Sequence, residues 1–143
     1  MPIAYKIDPT LGLLYYMALG YCPIAKLTET ERIAFYDPER LPNMKIIINT
    51  MNAEFDLSTK DLHEFIQFNQ PLHKNHWALE QTAVLTRNRF AEGLSDTIHF
   101  LAGDLPIKLK IFHTLADAAQ WLDLADHIER IEEIQAELKA ELE

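Results

Sequence analysis

The six residues MKIIIN at positions 44–49 limit the fold of this chain more than any other stretch. Three consecutive isoleucines leave no polar alternation, so a strand built from them needs apolar cover on both faces, as in a parallel sheet flanked by helices. They predict a central strand in an open α/β layer. Polar residues follow, and then LSTKDL (57–62), where Ser58 and Asp61 have capping-pair spacing and Leu57 and Leu62 that of a hydrophobic staple. The strand is thus expected to break into a polar turn and start a helix carrying Leu62, Phe65 and Ile66 on one face, ending before Pro71. Ligands in open α/β domains gather at such junctions, which makes this turn the first place to look for function.

The remaining pattern builds a sheet around that strand. Ile3, Tyr5 and Ile7 alternate with Ala4, Lys6 and Asp8, and PTLG (9–12) supplies a turn before LLYYMAL, which reads as a β-hairpin. In LTETERIAFYDP, Thr28 and Glu31 have capping-box spacing and predict a short helix that Pro38 stops. QTAVLT (81–86) is the next strand. Asn88 can cap a helix with Phe90, Leu94, Ile98 and Leu101 on one side and Gly103 as its stop. In IKLKIF the outward lysines Lys108 and Lys110 protect an exposed sheet edge, and Thr114 caps LADAAQWL. The order β-β-α-β-α-β-α-β-α gives an α/β fold with an N-terminal hairpin and right-handed βα units.

The last segment differs in composition. From Asp123 onward it holds eight acids against two bases, so most of the chain's net charge of −9 lies there. Leu124, Ile128, Ile131, Ile134, Leu138 and Leu142 recur near the helical period and form one apolar stripe that must bury against something. Its target is either this chain's own sheet and helices or a second copy. We therefore divide the sequence into an α/β domain over residues 1–124 and an acidic amphipathic helix over 125–143 that extends it.

Charge and composition exclude several classes. With a pI near 5.1, the chain repels nucleic-acid phosphates and anionic lipid heads. No apolar run approaches the ~20 residues that span a bilayer, and no signal-peptide pattern opens the sequence, so a cytoplasmic location without membrane insertion is expected. Cys22 has no second thiol, and no lysine or histidine lies near it in sequence to activate it. His73 and His76 in HKNH, with His63 earlier, lack the further ligands of a zinc site; no metal or other cofactor is expected. His99 falls beside an apolar helix face. No GxSxG, P-loop or GxGxxG occurs, and Glu54, Asp56 and Asp61 are where a helix dipole favours acids anyway. Tyr15, Tyr16, Tyr21, Phe35, Phe65, Phe68 and Trp77 read as core, with an apolar pocket as the other use. No catalytic set is recognisable.

The run TAVLTRNRFAEGLSDTIHFLAGDLPIKLKIFHTLADAAQWLDL resembles the SpoIIAA-like family of small bacterial proteins related to STAS domains. The resemblance rests on Gly93 within a helix and on the closing pattern Phe112, Leu115, Ala118 or Ala119, Trp121 and Leu122. The opening hairpin is similar too, so the resemblance covers residues 1–124. It implies a mixed sheet and work by partner binding rather than chemistry, as in anti-sigma-factor antagonists. Those antagonists carry a phosphorylated serine in an Asp-Ser-Ser-Gly motif. Here Asn49, Thr50, Met51 and Asn52 follow the isoleucines, and the first helix-start hydroxyls are Ser58 and Thr59. Ser58 is accounted for as an N-cap, although a phosphate or a small anion would be welcome at the same amides.

The reading is a non-catalytic cytoplasmic regulatory or interaction module that binds a protein partner or forms a homodimer, with the 124–142 stripe as its contact. The alternative is a carrier of a small apolar ligand or anion, its site at the strand-to-helix turns and formed by Asn49, Asn52, Ser58, Thr59 and Asn88.

Overall fold

The computed structural model describes residues 2–54, 81–87 and 108–143. Five strands form one mixed sheet in the order β1-β2-β3-β4-β5. β1 (Ile3–Asp8) and β2 (Leu13–Tyr21) are the expected antiparallel hairpin. In its turn the Asp8 carboxylate accepts from the Leu11 amide at 3.1 Å, and Gly12 takes a φ of +62°, a conformation that disfavours a side chain. β3 (Lys45–Glu54), β4 (Gln81–Leu85) and β5 (Lys108–Phe112) then run parallel to β2. The isoleucine strand is central, and β5, with Lys108 and Lys110 exposed, is an edge.

Side-chain alternation along β2 sorts the core into two halves. Leu13, Tyr15 and Met17 join Ile47, Ala83 and Leu85 under helices α2 (Leu115–Trp121) and α3 (Ile128–Leu142). Leu14, Tyr16, Ala18 and Ile46 face the other way, toward Leu27 and Ala34 of α1 (Ile24–Phe35). Both faces of β2 are therefore covered, which its LLYYM run requires.

Two boundaries differ from expectation. α1 starts at Ile24 with Pro23 as its N-cap at φ −65°, so Thr28 and Glu31 lie inside the helix and form no capping box. Proline's fixed φ suits a helix start and wins over the later Thr-Glu pattern. β3 also runs on past Asn49 to Glu54, so Asn49 and Asn52 are strand residues, not members of a turn. The extension is held by pairing of Leu19, Gly20 and Tyr21 with Asn52, Ala53 and Glu54, after a bulge that gives β3 one extra residue. The helices expected after Ser58 and Asn88 lie outside the described residues.

The C-terminal third reverses direction sharply. Thr114 caps α2 as expected, its hydroxyl accepting from the Asp117 amide at 3.2 Å. The helix ends in a Schellman motif: the Leu124 amide donates to the Ala119 carbonyl at 2.7 Å and the Asp123 amide to Gln120 at 3.1 Å, with Asp123 at φ +60°. A 3-10 turn, Ala125–His127, then delivers α3 back across β1 and β2. Among the described residues, no helix is long and apolar enough to cross a membrane.

Candidate functional site

The β3 bulge begins just after Asn49, which still pairs with Met17 and is 3% exposed. A bulge frees backbone groups from the ladder, and Asn49 takes one back: its Oδ1 accepts from the Met51 amide at 3.0 Å. Its Nδ2 donates to the Tyr15 hydroxyl at 2.9 Å, and Tyr15 in turn donates to Gln135 Oε1 on α3 at 3.1 Å. Burial pushes the Tyr15 phenol up to about 12, with the Asn49 hydrogen bond pulling the other way, so it stays neutral. The result is a polar chain running from the bulge through the core to α3. Beside it Thr50 donates to the Leu85 carbonyl at 2.7 Å, tying β3 to β4. Asn49 is thus committed to internal bonds, whereas Asn52 is exposed.

A second polar cluster lies on the opposite face, beneath α1. Burial pushes the Glu31 carboxyl up, while hydrogen bonding from Tyr16 and the charge of Arg40 pull it back. Tyr5 donates to Asp37 Oδ2 at 2.7 Å; burial, that bond and the charge of Asp37 push its phenol up to about 12. Asp37 Oδ1 also accepts from the Glu39 amide at 2.9 Å, fixing the turn that leaves α1. The Thr28–Glu31 spacing hid this role, because Tyr16, which faces Glu31, belongs to β2.

The six stripe residues sit against this chain's own sheet. Ile131 and Ile134 are 0% exposed, Leu138 2% and Leu124 4%, and Ile128 and Leu142 pack half-buried at the same core. Ion pairs fasten the flank of α3: Arg130 Nε meets Asp8 at 2.9 Å, Arg130 Nη1 meets Glu137 at 3.5 Å, and Lys6 pairs with Glu137. The outward face carries Glu129, Glu132 and Glu133.

Among the described residues, a few large apolar side chains also reach the surface. Ile33 and Tyr36, three residues apart on the outer side of α1, are 50% and 71% exposed, and Leu41 just beyond is 48% exposed. Phe35 meets the Tyr36 ring edge-on at 5.1 Å, which steadies it. The pattern was present in the sequence as an i, i+3 pair inside the expected helix, but spacing alone does not say which helix face meets solvent.

Of the other candidates, Cys22 is buried and burial pushes its thiol up. Tyr15 and Tyr16 are core, and Tyr21 is exposed. Among the described residues no group of three His, Cys, Asp or Glu is placed to hold a metal ion. Ser58, Thr59, Asn88, His63, His73, His76 and His99 lie outside the described residues.

No family model matches the sequence, and no curated protein matches it. Among solved structures the chain is similar to an uncharacterized protein of the DUF3478 family with a SpoIIAA-like fold, from Shewanella loihica PV-4. The TM-score is 0.57 at 18% identity, over 84% of this chain and 93% of that one. The chain has a SpoIIAA-like fold. In the SpoIIAA-like frame the hairpin, the parallel strands and the closing helix α2 fall in the order the sequence resemblance implied.

Proposed function

We propose that this SpoIIAA-like chain is a regulatory or interaction module that binds a protein partner or a second copy of itself. The carrying observation is the exposure of Ile33 and Tyr36, one helical turn apart at the end of α1, with Leu41 exposed in the segment that follows. Exposed aromatic and large aliphatic side chains of this kind are what the centres of protein interfaces are built from. The bonds of Asp37 to Tyr5 and to the Glu39 amide fix the turn beneath them, so less ordering entropy is lost on binding. Helix α3 supports this surface from the far side of the sheet; the apolar stripe from Leu124 to Leu142 is already packed on the core, and the acidic face of α3 remains for contact. The test is a photo-crosslinking residue in place of Tyr36, expressed in cells. One discrete adduct is expected, identified by mass spectrometry. The reading fails if positions 33, 36 and 41 yield no adduct while an adduct forms elsewhere on the surface.

A second reading, a small-ligand or anion carrier, is favoured by the bulge itself, since bulges recur next to binding sites and this one leaves Asn52 exposed beside Thr50. Asn49 would shape that site through Met51, with Ser58, Thr59 and Asn88 as further contacts. Native mass spectrometry of purified protein would show a bound small molecule that an Asn52→Asp variant loses.

A further inference from the structure

We infer that helix α3 exchanges between two copies of this chain, each covering the β1–β2 face of the other, through straightening of the bend at Asp123. This goes beyond the interaction reading above, because Ile33 and Tyr36 take no part in it.

The bend is weakly written in the sequence. From Leu115 to Leu142 there is no glycine and no proline, and the residues joining α2 to α3, Leu122 to His127, include nothing that stops a helix. The chain turns all the same, and it does so on one residue. Asp123 sits at φ +60°, where an L side chain is disfavoured. Beyond it, α3 starts from His127, which makes no side-chain cap bond, so the turn gains nothing from capping. Asp123, Ala125, Asp126 and His127 are all exposed, and of the residues between the two helices only Leu122 and Leu124 are packed in the core.

With Asp123 in an ordinary helical conformation, α2 and α3 become one helix about 42 Å long. At 3.6 residues per turn, Leu115, Ala118, Ala119 and Leu122 then lie on one side of it, and Leu124, Ile128, Ile131, Leu138 and Leu142 on the far side. While α2 stays on its own sheet, the stripe therefore faces away from that sheet and cannot reach its own β1 and β2. The stripe and the uncovered Leu13, Tyr15 and Met17 would form an apolar surface too large to leave in water. A second straightened copy covers both, with the contacts α3 makes now. The ion pairs of Arg130 with Asp8 and of Lys6 with Glu137 re-form in the same way between chains. Exchange needs no new interface, which makes it a low-cost route to a two-fold dimer. The left-handed residue is traded for helical hydrogen bonds, against the loss of packing between α2 and α3.

The test is refolding of the purified full chain at low and high concentration, followed by size-exclusion chromatography with light scattering. Wild type is expected to give monomer at low concentration, and at high concentration a monomer and a dimer that interconvert slowly, because releasing α3 opens the core. Asp123→Ala should raise the dimer-to-monomer ratio about tenfold and Asp123→Gly lower it about tenfold: alanine favours helix, glycine favours the bend, and each dimer straightens two bends. The glycine variant relieves the bend and keeps its fold, so the shift can be read from it alone. Refolding Lys6→Cys chains together with Glu137→Cys chains identifies the contact. A short thiol crosslinker should join the two different chains, and neither variant refolded alone should give that product, Cys22 being buried. A strict monomer under every condition overturns the inference. A dimer that gives no mixed crosslink, or whose ratio is the same in the alanine and glycine variants, is held by another surface and overturns it as well.

Discussion

Asn49, expected as a ligand contact, and Tyr15, expected in the core, are bonded to one another and hold the fold. Each is buried, and each satisfies the other: removing the Asn49 side chain strips Tyr15 of a donor and the Met51 amide of its acceptor. A buried polar group left unpaired costs about 1–3 kcal/mol, so Asn49→Ala is expected to destabilise by about 2–4 kcal/mol. Tyr15→Phe should cost less, about 1–2 kcal/mol, because half-buried Gln135 can turn to water. Chemical unfolding of both single variants and the double variant gives the coupling. Because the pair shares one bond, the double variant should lose less than the two singles together. Strict additivity would show that the bond stabilises nothing.

Among the elements, those written locally in the sequence were legible. The isoleucines of β3 specify cover on both faces, the lysines of β5 mark an edge, and Thr114 sits three residues before the amide it caps. What could not be read depended on distant partners. Gln135 is 120 residues from Tyr15, and nothing in its neighbourhood marks it as the end of a buried chain. Asn49 and Asn52 read as turn residues because their strand pairing lies in Leu19 to Tyr21, not beside them. The target of the terminal stripe was undecidable for the same reason. The Schellman turn is an element whose local rule is broken, since Asp123 occupies a position that glycine fills most easily. An L-residue there bears a left-handed cost of roughly 1–2 kcal/mol, partly offset by the greater chain freedom that glycine loses on folding. Asp123→Gly is therefore expected to stabilise by about 0.5–1 kcal/mol, and Asp123→Val to destabilise, in thermal melts of the two variants.

The whole molecule is closed by α3, and two independent sets of contacts keep it there. The first is ionic. Burial alone would raise the Asp8 carboxyl, but hydrogen bonds from Arg130 and the Leu11 amide, with the Arg130 charge, hold it below its ordinary 3.8. A carboxyl lowered by folding adds stability that is present in full above its ordinary range and lost as pH falls through the lowered value. Asp8→Asn should cost about 1–2 kcal/mol at pH 7, and its difference from wild type should shrink as urea titrations move below about pH 4. A gap that stays constant into strong acid would remove Asp8 from the account. The second set is apolar and larger. Ile131, Ile134 and Leu138 bury themselves on Leu13, Tyr15 and Met17, and each such side chain contributes ~1.5–3 kcal/mol when taken out of water. Removing residues 124–143 both deletes the first three and uncovers the second, a loss on the order of 10 kcal/mol by the same measure. A domain of this size has only ~5–15 kcal/mol to lose. A chain ending at Asp123 is therefore expected to show no cooperative unfolding transition and to bind a hydrophobic dye in buffer. If the shortened chain instead melted cooperatively near the wild-type temperature, α3 would be an appendage of a self-sufficient sheet, and its stripe would be free to serve a partner.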